Sequence, residues 1–251
     1  MTKEIITGTV IATTYMLEGI TGFGSTVLAL PFLNITIGLH LAVQLLCVFS
    51  WAIPIYIIAR SWKYISWREF LHIALWCAPG VPIGMVLFGV LPAEILCIIL
   101  GTFMIAIGIN GVKPARLNSG TPEEAKKNPL LHLCLFCGGI IQGAFGTGGP
   151  FVIIYAAKAL PEKSLFRVTL SLLWFFINSS RLLVWGFNGE LSNPLLLKLI
   201  LICLPFWLAG ILLGDYLHNK VSEMTFRRLV YMLLAVSGIV MLINNLIKVV
   251  Q

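Results

Sequence analysis

The sequence predicts an all-α integral membrane protein with eight hydrophobic segments, arranged as two inverted four-segment repeats in which the first segment of each repeat is broken or re-entrant. Three observations lead there. The 251 residues are 59% hydrophobic and only 11% charged, with a mean hydropathy of +0.96, whereas soluble domains carry about a quarter charged residues. A glycine-rich stretch occurs twice, each time inside a long apolar run. The cations gather in loops that such a folding places on one side of a bilayer.

Segment 1 runs over Ile5–Leu33, segment 2 over Leu41–Ala59, segment 3 over Phe70–Leu91 and segment 4 over Ile95–Val112. Each is long enough to cross roughly 30 Å of hydrocarbon. Residues 113–129 form the one extended polar linker, where Thr121-Pro-Glu-Glu124 reads as the start of a short surface helix. Segments 5 to 8 follow over Leu130–Ala157, Val168–Phe187, Leu195–Gly214 and Leu229–Ile247. The chain divides accordingly into a first repeat, 1–112, a cytoplasmic linker, 113–129, and a second repeat, 130–251. Only Lys3 lies among the first residues as a cation and no small-residue cleavage site follows, so no removable signal peptide is expected.

The repeat is carried by Glu18-Gly-Ile-Thr-Gly-Phe-Gly-Ser-Thr and Gln142-Gly-Ala-Phe-Gly-Thr-Gly-Gly-Pro, in which Gly19, Gly22 and Gly24 match Gly143, Gly146 and Gly148. Pro79 and Gly84 in segment 3 match Pro205 and Gly210 in segment 7, and Gly108 matches Gly238. Loop charges then select the topology. Eight full crossings would leave Lys158, Lys163, Arg167, Lys220, Arg227 and Arg228 outside. If segments 1 and 5 instead enter and leave by the same face, thirteen of the seventeen basic residues become cytoplasmic, all but Lys3, Arg181, Lys198 and Lys248. Three crossings per half also invert the halves, a common transporter plan. The first arm, Ile5–Ile20, is roughly 24 Å of helix, so it must tilt or pass the midplane.

A helix broken inside a membrane exposes backbone N–H groups at the start of the next half-helix, where the dipole favours an anion. The candidate substrate site is therefore Gly22, Gly24, Ser25 and Thr26 with Gly146, Thr147, Gly148 and Gly149, drawn together by the pseudo-symmetry. The competing reading is close helix packing on small residues. Arg181, in Asn178-Ser-Ser-Arg181, lies mid-segment, where a lone cation costs about 3 kcal/mol or more. It either answers a bound anion, with Asn178 adding hydrogen bonds, or pairs with Glu18, the one acid deep in an apolar segment. Glu18 is also a candidate for carrying a coupling proton, with Gln142 its neutral counterpart. Trp51 and Trp174, central in segments 2 and 6, are candidate walls of the pocket, while Lys198 and Asp215 read as segment-end residues that reach headgroups.

The six cysteines (47, 77, 97, 134, 137, 203) lie in apolar segments and read as buried thiols. Cys134 and Cys137 form a lone C-x-x-C without a second pair, and the four histidines lack metal-ligand spacing, so no metal site and no cofactor are expected. Nothing resembles H-E-x-x-H or paired catalytic carboxylates, so the chain does not read as an enzyme. The net charge of +7 sits in loops between spans and does not point to nucleic acid.

With its two related four-segment halves, each opening on G-x-x-G-x-G (Gly19-Ile-Thr-Gly22-Phe-Gly24 and Gly143-Ala-Phe-Gly146-Thr-Gly148), the whole chain resembles the TauE/SafE permeases, the four-toluene sulfonate uptake permease family. Ser25-Thr26 stands where that family commonly continues in glycine. The resemblance implies a multi-pass inner-membrane transporter of sulfite, thiosulfate, sulfoacetate or related sulfonates, inward or outward. Its expected partners are the small anionic substrate, the lipid bilayer and a coupling ion, proton or sodium. A homodimer is compatible with the sequence. The alternatives are transport of another small organic anion or an amino acid, and a passive anion channel.

Overall fold

The computed structural model describes residues 2–90, 92–111, 122–146, 148–160 and 162–218, together with 220, 222, 224, 225, 228, 231, 232, 235, 236, 238, 239, 242 and 243. All regular structure among them is helical. The helices are α1 (Thr2–Thr21), α2 (Ser25–Ile37), α3 (Leu39–Ser61), α4 (Trp67–Cys77), α5 (Gly80–Val90), α6 (Ala93–Gly111), α7 (Pro122–Lys127), α8 (Pro129–Phe145), α9 (Gly149–Ala159), α10 (Lys163–Phe187) and α11 (Pro194–His218). Among the described residues three helical stretches are long and apolar enough to cross a membrane: Leu39–Tyr64, Lys163–Phe187 and Pro194–His218. The broken pair Trp67–Cys77 and Gly80–Val90 would be a fourth. Along α11, Leu197, Leu201, Leu204, Leu208 and Leu212 are exposed while Cys203, Trp207, Gly210 and Gly214 are buried. A leucine face turned outward is what lipid accepts and water does not.

The expected linker helix is present as α7, with its proposed cap Thr121 and most of 113–121 outside the described residues; segment 8 is described only in part. Segments 1, 3 and 5 are each split in two. The chain forms two compact units, Met1–Leu75 with Pro161–Lys220, and Trp76–Leu160 with Val221–Gln251. Each unit thus draws on both halves of the sequence.

In the first unit α1 runs alongside α11 in the same direction. Lys198 Nζ donates to Glu4 at 2.8 Å near one end, Gly8 and Ala12 lie against Phe206 and Gly210, and His218 Nδ1 meets the Ile20 carbonyl at 2.5 Å near the other. Lys198 therefore has an acid partner, not only a headgroup. Helix α3 is parallel to α11 as well: Phe49 stacks on Trp207 at 5.4 Å, and about two turns beyond, Tyr56 donates to Asp215 at 3.1 Å. Helix α2 runs opposite to α3, joined to it at Gly38 and level with it where Thr26 and Ser50 hydroxyls meet at 3.0 Å. Consequently α1 and α2 form a hairpin. Its first arm follows α11 to its last turn, so it passes well beyond mid-depth. Helix α10 is antiparallel to α3, with Thr169 accepting from the Ser66 amide at 3.0 Å, Ser179 from Trp51 at 2.9 Å, and Glu190 from Gln44 at 3.0 Å.

In the second unit α8 and α9 form the corresponding hairpin, with Gly138 against Phe151 and Val152. Helix α5 lies parallel to α8, and Cys77 Sγ donates to the Leu135 carbonyl at 3.1 Å at the approach to it. Helix α6 is antiparallel to the helical residues that follow 228: Gly101 meets Gly238 and Leu242, Gly108 meets Ala235, and Gly111 meets Tyr231.

The two units repeat one set of contacts. Gly210 lies on the Ala12 carbonyl, Gly214 on that of Met16 and Gly19 on that of Ile211; Gly80 lies on Phe136, Gly84 on Ile140 and Gly143 on Val81 in the same order. These contacts pair Gly84 with Gly214, one turn beyond the sequence match to Gly210. The reason is physical: glycines four apart touch the neighbouring backbone together, and the G-x-x-x-G spacing, not the proline, sets the register. A methyl at Gly84 would collide with the Ile140 carbonyl, while Gly89 on the same helix faces open space. Gly84→Ala is expected to cost about 1–3 kcal/mol and to lower the thermal midpoint in detergent, with Gly89→Ala neutral or slightly stabilising. Equal midpoints for the two variants would refute the packing argument.

Candidate functional site

Helix α1 ends as a glycine-terminated helix should. Gly22 has φ 80, a left-handed conformation, and its N–H bonds the Glu18 carbonyl at 2.7 Å. The second hairpin ends α8 identically, with Gly146 at φ 70 and its N–H on the Gln142 carbonyl at 2.8 Å. Thr21 stitches the first turn, donating to Leu17 O at 2.7 Å and accepting from the Phe23 amide at 3.2 Å. Helices α2 and α9 then start at Ser25 and Gly149, each behind a glycine that has no side chain to cap it. Amides at such helix starts are the donors expected to meet an anion, and at α2 the Ser25 amide already faces Glu18.

Two polar residues close the hairpins from inside. Ser25 Oγ donates to the Glu18 carboxylate, and the Gly148 amide donates to Gln142 Oε1 at 2.6 Å. Glu18 and Gln142 thus occupy the same place and do the same structural task. Around Glu18 the buried polar chain continues: Tyr15 donates to the Leu46 carbonyl at 2.9 Å and shares a 2.9 Å hydrogen bond with Ser50, which also meets Thr26. Glu18, Ser25, Thr26 and Ser50 are each at least 95% buried.

Asn178 and Arg181 are also buried, at 1% exposure each, on α10. The Arg181 guanidinium lies over the Trp185 ring at 4.6 Å, and its charge reaches Cys47 on α3, one turn from Ser50. The expected alternative pairing of Glu18 with Arg181 gives way to Glu18 with Ser25. Trp51 stacks on Phe175 at 5.8 Å while donating to Ser179, which fixes its ring between α3 and α10.

The cation against the glycine turn is Arg167, a residue the sequence reading left in a loop. Gly22 is pressed so closely on the Arg167 backbone and Cγ that no Cβ would fit. Arg167 is 5% exposed and donates to Asp215 Oδ1 at 3.0 Å; Asp215 Oδ2 also takes Arg60 at 3.1 Å and Tyr56 at 3.1 Å. Asp215 is therefore the centre of an ion-pair network rather than a headgroup contact. The missed signal was spacing: Arg167 continues the row Ser171, Trp174, Asn178, Arg181 at intervals of four and three, which is one face of a helix.

Of the predicted residues, Gly22, Gly24, Ser25, Thr26, Glu18, Asn178 and Arg181 lie in the first unit, and Gln142, Gly146, Gly148 and Gly149 in the second. Thr147 lies outside the described residues. Cys47, Cys77, Cys134, Cys137 and Cys203 are free thiols, and no group of His, Cys, Asp and Glu among the described residues could hold a metal. An open cavity of about 360 Å³ at the other end of α3 is lined by His40, Gln44 and Glu190. Its carboxylate suits an anion poorly.

Removing the Ser25 hydroxyl leaves the buried Glu18 carboxylate without that donor. Ser25→Ala should cost about 2 kcal/mol or more, read as a lower unfolding midpoint. Glu18→Gln, which copies Gln142, should keep the hairpin and most of the stability. A Glu18→Gln protein less stable than Ser25→Ala would disprove this account.

The model of the sulfite exporter TauE/SafE family matches residues 6–241. The chain is 25% identical over 183 residues to a probable inner membrane transporter protein TsaS of Comamonas testosteroni, covering 71% of this chain and 73% of that one. It is 24% identical over 223 residues to a probable sulfite/organosulfonate exporter TauE of Cupriavidus necator, covering 85% and 84%. No solved structure matches it. A family match across nearly the whole chain, carried by apolar helices with a doubled glycine hairpin, places this protein in the sulfite exporter TauE/SafE family.

Proposed function

We propose that the protein is a secondary transporter of small sulfur-containing anions, sulfite, thiosulfate, sulfoacetate or related sulfonates, working by alternating access across the inner membrane. The observation that carries this reading is the buried Arg181, with Asn178 beside it and the start of α2 in the same unit, in a chain of this family. A cation and aligned N–H donors withdrawn from water form a strong acceptor site for an oxyanion. The sulfur in the assignment comes from the printed names of the relatives, one a sulfite/organosulfonate exporter and the other an inner membrane transporter.

Two helix pairs support inverted halves with a re-entrant segment 5, and the hairpin of segment 1 is read as its counterpart. Segments 2 and 6, as α3 and α10, are antiparallel; segment 4, as α6, is antiparallel to the described part of segment 8. Eight full crossings would make both pairs parallel. Hairpins that return to their own side make both antiparallel and keep the cationic loops cytoplasmic. Glu18 and Gln142, as hairpin closures, leave Glu18 the place where a proton or sodium would couple to movement of the first hairpin.

Purified protein in liposomes is expected to take up labelled thiosulfate or sulfite saturably, with competition among sulfur oxyanions, and Arg181→Ala should lower uptake at least about tenfold, the effect of losing one buried charge-assisted contact. Undiminished uptake of every sulfur oxyanion by that variant would remove Arg181 from the mechanism. Conductance without response to an ion gradient would favour a channel. For topology, single cysteines at Lys63 and Ser192 should react with impermeant reagent from opposite faces. Labelling from one face would rule out the re-entrant arrangement.

A further inference from the structure

Along α10 the residues Arg167, Ser171, Trp174, Asn178, Arg181 and Trp185 follow one another at intervals of four and three, and all six are buried. That spacing puts them in a single row on the helix, and the eighteen residue steps from first to last rise about 27 Å, most of a bilayer core. The row holds two guanidiniums, two indoles, an amide and a hydroxyl, and α10 contains no Asp or Glu between Lys163 and Phe187. Its carboxylate neighbour from another helix is Asp215 of α11, at the Arg167 end.

Donors in this row lack an acceptor among the described residues, Arg167 Nε and Trp174 Nε1 among them. Arg167 Nε and Trp174 Nε1 are fully shielded from solvent and make no hydrogen bond, and their residues are each 5% exposed. An unmet buried donor costs about 1–3 kcal/mol, so two on one face, seven residues apart, are an expensive pattern for mere packing. At Arg167 a further feature converges: the turn at Gly22 presses on its backbone and stem, just ahead of α2.

We propose that Arg167 is a second anion position, distinct from Arg181, and that Trp174 Nε1 hands the anion between them along α10. This rests on the anion-transport reading above. The ligand class is a small oxyanion with several acceptor oxygens, able to engage a guanidinium and an indole N–H together. Asp215 is the resting counter-ion that the arriving anion displaces from Arg167. Asp215 can release it because Arg60 at 3.1 Å and Tyr56 at 3.1 Å still hold the carboxylate. The exchange breaks the α10–α11 ion pair beside the first hairpin, so occupation of the Arg167 position frees that end of the helix to move.

The test measures binding of labelled thiosulfate to the purified full chain in detergent, alongside thermal unfolding. Asp215→Asn removes the competing charge and should tighten binding about tenfold even as it lowers the unfolding midpoint. Arg167→Gln should weaken binding by a similar factor. Trp174→Phe keeps an aromatic ring but removes the N–H together with the pyrrole part of the indole, so it should slow uptake in liposomes by more than any change in its unfolding midpoint explains. If Asp215→Asn and Arg167→Gln lower the midpoint while thiosulfate affinity stays that of the parent, the pair is a structural tie and the proposal falls. If the parent protein binds a simple carboxylate but no sulfur oxyanion, and Asp215→Asn tightens that binding, the second position stands and the sulfur assignment falls. If no anion binds, both fall.

Discussion

A helix that stops inside an apolar protein leaves amides and carbonyls that hydrocarbon cannot satisfy, and this fold is built around two places where that happens. At each, the outgoing helix is closed by a left-handed glycine whose N–H returns to the preceding turn, Gly22 to Glu18 and Gly146 to Gln142. The side chains of those same two residues then reach across the turn, one carboxylate and one amide, to a donor at or just before the start of the returning helix. Carbonyls of the first arm and one early donor of the turn region are thereby met. The residues before α2 and α9, Gly24 and Gly148, have no side chain to cap them, and at the first break Glu18 takes both the hydroxyl and the amide of Ser25.

Hairpins need a wall to return against, and close backbone approach supplies it. The first arm of each hairpin is clasped by a helix from the other half of the sequence, α11 for α1 and α5 for α8, through glycines four residues apart. Association of helices in lipid depends on van der Waals contact rather than on the hydrophobic effect, so removing every Cβ at the crossing is the available means. The interleaving of the two halves follows. Neither half can bury its own hairpin, and each unit is completed by helices contributed from both.

Buried arginines are tolerated here by contrasting means. Arg167 has an acid, Asp215, which is itself shared with Arg60 and Tyr56. Arg181 lies fourteen residues further along α10, over the face of Trp185.

The apolar composition, the doubled glycine stretch and the loop cations were enough to read a helical membrane protein with two breaks, because each depends on residue type and local order alone: glycines end helices, and spans exclude charge. The same features could not divide the glycines by task. Gly19 and Gly143 are packing surfaces, while Gly22 and Gly146 are turns, and only the neighbour's position separates those uses. Likewise Arg167 reads as a loop cation until α10 is seen to begin at Lys163, and Glu18 reads as a partner for Arg181 until Ser25 is folded back onto it. Chain order fixed where the helices break; which side chains meet across the breaks was decided by the packing of helices far apart in sequence, since burial and pairing depend on neighbours that no local pattern specifies.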